Sequence, residues 1–423
     1  MTIFDIINIA LFVALVLCYS FQFIYILIPF LKKMPPHKET LPHKYAVLIC
    51  ARNEENVIKN LIDSLHAQDY PQELLTIFLA ADNCTDKTAE VGRACGAVVY
   101  ERFNKQQIGK GYALHYLLGK IDEDYGEDAF DAFVVFDADN IVTPTFFTEI
   151  NKTYSDGYDV ITTYRNAKNY GDNWLAASSG LWFIREAKYL NGSRFRIGAC
   201  PQVSGTGFLF SNKIKKQNGG WPFHTLVEDY EFTCHHAVQG EKFGYCEEAR
   251  FYDEQVTGFR QSWNQRMRWA KGGLQSFGIY WKRLLKGIFS KNGIACYDMF
   301  MSIAPGYVIS IVATLFNIFA SIYSLAIGTP VITVLLTVAK FVIPSYIAVW
   351  LLGFVCTISE WKHLRTTNTK KILYSITFPL FLFTFIPIAF CAIFSKVEWK
   401  HISHKEMSEA DKVRLGVTED KKD

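Results

Sequence analysis

"DAFVVFDADN", residues 131 to 140, runs a short apolar segment into two carboxylates one residue apart. The apolar part reads as a buried strand. If the Asp-Ala-Asp that follows is also extended, Asp137 and Asp139 lie on one side of it. That placement suits a hard divalent cation, Mg²⁺ or Mn²⁺, which keeps open positions and bridges to a diphosphate.

The flanking sequence repeats the pattern. "YAVLIC" (45–50), "LLTIFLA" (74–80) and "AVVYE" (97–101) read as strands, and "ENVIKNLIDSLHAQ" (55–68), "DKTAEVGRAC" (86–95) and "KGYALHYLLGKI" (110–121) as helices. Such alternation predicts a parallel α/β sheet covered by helices, with ligands bound beyond the carboxyl ends of the strands. Polar residues gather at those ends: Asn53 and Glu54, then Asp82, then Asp137 and Asp139. One strand-end aspartate is commonly a helix cap or a turn former. Three in register argue for a shared site, because acids converging on one rim repel unless a cation or a donor lies among them.

Further motifs supply that positive charge and a base. Lys110 sits between Gly109 and Gly111 at a helix start, where backbone N–H groups and an ammonium can approach phosphate. The spacing is not that of a Walker loop. "VSGTGFLFS" (203–211) reads as a glycine-rich strand, and Glu228 and Asp229 open a helix predicted over Val227 to Val238. A helix N-terminus favours ionised carboxylates, and an ionised carboxylate in a cleft is what a general base requires. In "QRMRWAKGG" (265–273), Gln265, Arg268 and Trp269 fall at i, i+3 and i+4 and share one helix face. There an indole offers a platform to a sugar ring and a guanidinium offers a fork to phosphate oxygens. The alternative is an interfacial helix whose Trp and basic residues meet lipid headgroups.

Half of the 423 residues are hydrophobic, and they are unevenly distributed. Ile6–Leu31, Met299–Ala339, Phe341–Ser359 and Ile372–Ser395 carry no charge, and a bilayer span needs roughly 20 apolar residues. The expected organisation is an N-terminal anchor and linker (1–43), a catalytic domain (44–258), interfacial helices (259–298), a C-terminal transmembrane region (299–395) and a polar basic tail (396–423). Lys32, Lys33, Lys38 and Lys44 after the first span, with Lys282, Arg283 and Lys286 before the second, place the central domain in the cytosol of a multi-pass plasma-membrane protein. Pro379 and Pro387 interrupt the last apolar stretch, and the basic tail is assigned to the cytosol. A net charge of +3 is too small to point to nucleic acid and fits attraction to membrane lipid. Ten cysteines without a C-x-x-C pair indicate reduced, cytosolic usage. His224, Cys234, His235 and His236 lack the second ligand pair of a zinc site.

Taken in order, "ARNEE", "ADNCTDKT", "GKGYAL", "DAD", "SGTGFLF", "VED" and "QRMRW", flanked by membrane segments, resemble the membrane-integrated family 2 glycosyltransferases. These include the processive cellulose, chitin, hyaluronan and poly-N-acetylglucosamine synthases. The resemblance covers residues 44 to 290 by motif. It implies a Rossmann-like GT-A α/β domain inserted between transmembrane helices, and inverting, metal-dependent transfer from a nucleoside diphosphate sugar, expected to be a UDP-sugar. By the same resemblance Asn53, Glu54 and Asp82 line the nucleoside pocket, Asp137 lies near the diphosphate and Asp139 binds the metal. Lys110 and Arg268, with Gln265 nearby, face the leaving diphosphate. Asp229 is the base with Glu228 beside it, Trp269 stacks under the acceptor, and Gly205 and Gly207 let the acceptor approach the backbone. "ADN" and "VED" depart from the double Asp and "TED" of cellulose synthases, which leaves the sugar open. The leading expectation is a growing polysaccharide passed through the membrane helices. The alternatives are a single sugar placed on a membrane lipid and a non-catalytic nucleotide-sensing membrane protein.

Overall fold

The computed structural model describes residues 3 to 397 except Ile303, so most of the basic tail lies outside the described residues. A long helix, α1 (Ile3–Leu31), leads into an eight-stranded sheet. The strands are β1 (Tyr45–Ala51), β2 (Leu75–Asp82), β3 (Val98–Arg102), β4 (Ala132–Asp137), β5 (Ile141–Val142), β6 (Val160–Ala167), β7 (Phe208–Ser211) and β8 (Phe243–Asp253). Their spatial order is β3-β2-β1-β4-β7-β6-β8-β5.

The unbroken apolar run of β1 follows from burial on both faces. Val47 and Ile49 pack with Ile58 and Leu61 of α2 (Ile58–His66). Ala46 and Leu48, on the other face, join Leu114 and Leu117 of the helix Lys110–Tyr125. Between these helices α3 (Thr88–Ala94) follows β2, so the helix Lys110–Tyr125 is α4, and α5 (Phe146–Ser155) follows β5. Register aligns the strand ends: Cys50 pairs with both Ala80 and Asp137. The polar residues that follow these strands therefore meet at one edge.

Two expectations need correction. The sheet is mixed, because β7 runs antiparallel to both β4 and β6. The strand predicted over 203–211 begins only at Phe208, since Gly205 and Gly207 adopt φ of 72° and 64°, a left-handed conformation that a strand does not accommodate.

After β6 come α6 (Trp174–Ile184), a π-helical segment (Arg185–Asn191) and α7 (Gly192–Arg196). Next are α8 (Asn212–Asn218), α9 (Glu228–Gln239) and the long α10 (Phe259–Gly287). The remaining helices are α11 (Gly293–Met301), α12 (Ala304–Ala326), α13 (Val331–Ser359), α14 (Asn368–Phe383) and α15 (Phe385–Phe394). Among the described residues, four helical stretches are long and apolar enough to cross a membrane: Phe4–Leu31, Gly293–Ala326, Val331–Ser359 and Asn368–Phe394. The last one breaks at Thr384, so Pro379 lies inside α14 and Pro387 falls in the first turn of α15. A first turn tolerates proline because its N–H has no helical partner there. Arg266 of α10 braces the break, donating to Phe381 O at 2.9 Å and to the Thr384 hydroxyl.

The sheet layer is held to this helical base by a buried ion pair. Arg194 meets both carboxylate oxygens of Asp298 at 2.7 and 2.8 Å, and Tyr25 of α1 donates to the same carboxylate at 3.0 Å.

Candidate active site

The acids at the strand ends are held by cations and backbone donors. Asp82 is buried against Arg102 at 2.6 Å. Asp137 pairs with Lys110, whose ammonium also donates to Gly205 O at 2.7 Å. Lys110 reaches this point because α4 begins beside the loop at Phe223: a Cβ on Gly111 would fall 2.0 Å from Phe223 O. Burial opposes the Lys110 charge, and Asp137 and Glu228 outweigh it, so its pKa is raised.

The Asp-Ala-Asp segment is not extended as expected. β4 ends at Asp137 and a turn follows, closed by Asn140 N–H to Asp137 O at 3.0 Å. Asp137 consequently faces Lys110, while Asp139 is buried and accepts from Glu254 N–H at 2.8 Å. At the end of β8, Asp253 receives Arg165 Nε at 2.9 Å, while its Oδ1 is buried without a hydrogen-bond partner among the described residues. Burial, opposed by Arg165 and reinforced by the nearby charge of Asp139, holds the Asp253 pKa above its usual value.

Glu228 and Asp229 open α9 on the opposite wall. Burial and the Asp229 charge push the Glu228 pKa up to about 7, and burial likewise raises Asp229. Lys110 and Arg268 oppose both shifts. Asp229 Oδ2 lies 3.6 Å from where a Gly205 Cβ would sit, so Gly205 keeps that carboxylate approachable. The close packing of α10 on the loop before α9 depends on Gly272, whose Cβ would stand 2.8 Å from Val227 N. Arg268 then donates to Leu226 O at 2.9 Å. Trp269 meets Phe183 edge-on, with ring centroids 5.7 Å apart.

One cavity of about 1340 Å³ takes in Glu54, Asp82, Lys110, Asp137, Asp139, Gly205, Glu228, Asp229, Gln265, Arg268 and Trp269. It does not stop at the sheet edge. It continues between the apolar helices, past Leu15 and Phe23 of α1 and Ile318 and Ile322 of α12. Two expected site residues lie outside it. Asn53 sits at φ 59°, and its side-chain oxygen accepts from Thr85 N–H at 2.8 Å, so it fastens two loops together. Gly207 packs against Phe251, 2.0 Å from where its Cβ would be, leaving no room for an acceptor.

Sequence reasoning overlooked Arg102, Arg165 and Asp253, which neutralise or extend the acidic rim, and Trp182, Phe183, Arg185 and Glu186, which line the cavity. The available signal was "LWFIREAKYL" (181–190), where charges are set within an apolar stretch.

A mixed α/β sheet with its acidic rim under a helical roof defines a GT-A, Rossmann-like fold flanked by apolar helices. Residues 42–272 match the glycosyltransferase-like family 2, and the chain belongs to that family. A β-monoglucosyldiacylglycerol synthase of Synechocystis is 25% identical over 245 residues, 57% of this chain and 50% of that protein. A poly-β-1,6-N-acetyl-D-glucosamine synthase of Staphylococcus epidermidis is 24% identical over 241 residues, 53% of each chain. The chain thus spans about half the length of these curated relatives. In structure it is similar to the mannosyltransferase PcManGT from Pyrobaculum calidifontis, solved with GDP-Man and Mn²⁺. The TM-score is 0.62 at 16% identity, covering 93% of this chain and 99% of that one.

Proposed function

We propose that the protein transfers a sugar from a UDP-sugar to the hydroxyl of a membrane lipid, at the cytosolic face of the membrane. The observation that carries this reading is the single cavity joining the carboxylate and guanidinium groups of the rim to apolar helix surfaces. An amphiphilic acceptor fits such a space, with its headgroup at Asp229 and its tail among α1, α12 and α13. The diacylglycerol-directed name of a relative supports the same class of acceptor. The basic residues around Lys32 and Lys282 support the cytosolic placement.

In this reading Asp229 takes the proton of the acceptor hydroxyl, and the hydroxyl oxygen attacks the anomeric carbon opposite the departing diphosphate, inverting it. Lys110 and Arg268 stabilise charge on the leaving group, and Trp269 carries the acceptor. The rim fits a divalent cation: Asp139 and Asp137 are carboxylates in the cavity, and the buried Oδ1 of Asp253 has no hydrogen-bond partner among the described residues. Among the described residues no group of three His, Cys, Asp or Glu is arranged around one ion. A metal held by these carboxylates would complete its shell with substrate phosphates. When bound, Mg²⁺ or Mn²⁺ supplies positive charge to the diphosphate.

A second reading, elongation of a polysaccharide, is favoured by the polar lane of Ser310, Thr314, Asn317 and Ser321, which lines the cavity along one face of α12. One experiment separates the two. Purified, lipid-reconstituted protein is given Mn²⁺ or Mg²⁺ and a panel of UDP-sugars, and products are sized by mass spectrometry. A single glycolipid supports the lipid acceptor, a ladder supports the polymer, and no turnover with any donor supports a non-catalytic nucleotide sensor.

A further inference from the structure

Arg185 differs from the other buried arginines around the cavity. Arg102, Arg165 and Arg194 each face an aspartate. Arg185, 6% exposed and lining the same cavity, makes no ion pair among the described residues. One Nη donates to the Gln22 side chain of α1, and the guanidinium lies 5.3 Å from the centre of the Trp182 ring. A guanidinium has five N–H donors, and that to Gln22 is the one hydrogen bond it makes among the described residues. The neighbouring Glu186 attracts Arg185 without bonding to it: no hydrogen bond or ion pair joins the two among the described residues, and the charges of Arg194 and Arg165 draw on the same carboxylate. A buried charge without an ion pair among the described residues is costly, and burial lowers the Arg185 pKa accordingly.

Its position specifies what is missing. From Trp269, the aromatic contacts run through Phe183, and the adjacent Trp182 stacks on Phe385 of α15 at 5.4 Å. Arg185 follows Trp182 on the π-helical segment and touches Gln22 of the α1 span, so it stands on the membrane side of the transfer site. A guanidinium fork there matches phosphate oxygens. We infer that Arg185 holds the phosphate of a phospholipid acceptor, whose free hydroxyl lies beyond the phosphate and reaches Asp229. This inference rests on the lipid-acceptor reading above and narrows it from a membrane lipid in general to one with an anionic headgroup.

The test uses the full-length protein in a neutral detergent, with dioleoyl phosphatidylglycerol and dioleoylglycerol as probes of equal acyl length. Lipid retention is read by native mass spectrometry, transfer by glycolipid formation from the UDP-sugar used, and folding by UDP affinity. The wild type should retain phosphatidylglycerol at a concentration at least about tenfold lower than dioleoylglycerol. Arg185→Gln should erase that preference, Arg185→Lys should keep part of it, and UDP affinity should not change in either. Equal retention of the two lipids by the wild type, or an undiminished preference in Arg185→Gln, overturns the inference. If both proteins glycosylate dioleoylglycerol equally and ignore phosphatidylglycerol, the inference fails while the lipid-acceptor reading stands. If the wild type makes only polymer, that parent reading fails, and this inference with it.

Discussion

Asp229→Asn separates chemistry from binding. The substitution keeps shape and removes one charge. The Thr233 hydroxyl bonds the Asp229 backbone oxygen at 2.9 Å, so the first turn of α9 is unaffected. A positioned general base contributes roughly 10²–10⁴-fold, or about 2.7–5.4 kcal/mol of transition-state stabilisation. Glu228 cannot substitute fully, although losing the Asp229 charge lets its pKa fall. The Gly205 opening faces Asp229, and a shift of about 1 Å in a reacting group costs on the order of 10²-fold. Burial penalises the Asp229 charge, so the amide should leave Tm unchanged or raised. The assay combines initial rates of UDP release, UDP affinity by calorimetry and a thermal melt. The expected result is a rate loss of at least about 10²-fold with donor affinity intact. A variant retaining more than a tenth of wild-type turnover would refute the assignment of the base. So would a large fall in Tm, which would make Asp229 a structural residue.

The raised pKa values of Glu228 and Asp229 mean that the base is lost as pH falls through a range above that of ordinary carboxylates. The acidic limb of kcat/KM should therefore sit high. The same pair binds protons in the folded state that the unfolded chain has released. Its contribution to stability is full below pH about 4 and declines as pH rises toward 7, which melts across that window would show. Lys110→Met should raise the donor KM by on the order of tenfold or more, with a smaller effect on Tm, because it removes the cation shared by Asp137 and Gly205. Gly207→Ala places a Cβ 2.0 Å from Phe251 at φ 64° and should cost about 2–5 kcal/mol, read as a lower Tm. Arg194→Met leaves Asp298 buried and unpaired, at about 3–5 kcal/mol, and Arg194→Met with Asp298→Leu should regain most of that.

The parts of the site legible in the sequence were those carried by strand ends and helix starts. Continuous apolar runs in β1, β2 and β4 announced burial on both faces, and parallel register did the rest, bringing Asp82 and Asp137 to one edge. Gln265, Arg268 and Trp269 followed from helical spacing alone. What escaped depends on contacts between distant segments. Nothing local to Arg165 shows that it will meet Asp253, 88 residues later. Asn53 reads as a ligand until Thr85 is seen to occupy its oxygen. The turn after Asp137 depends on Asn140 and on the Thr206 hydroxyl, which holds the Asp137 N–H at 2.9 Å. Strand propensity does not report either contact.

The Arg194–Asp298 pair also bears on the order in which this chain can mature. α11 opens one of the long apolar stretches, and its Cys296 and Met299 are buried in the same cluster as Phe133 of β4 and Phe210 of β7. The Tyr230 hydroxyl, from the first turn of α9, donates to Met299 O at 2.5 Å. During synthesis the sheet is therefore complete in sequence well before its underside can be sealed. Until residue 299 leaves the ribosome, the nascent domain carries an open apolar face and an arginine awaiting its partner. A fragment ending at residue 290 would lack Asp298, Cys296 and Met299, leaving Arg194 without its carboxylate and that cluster uncovered.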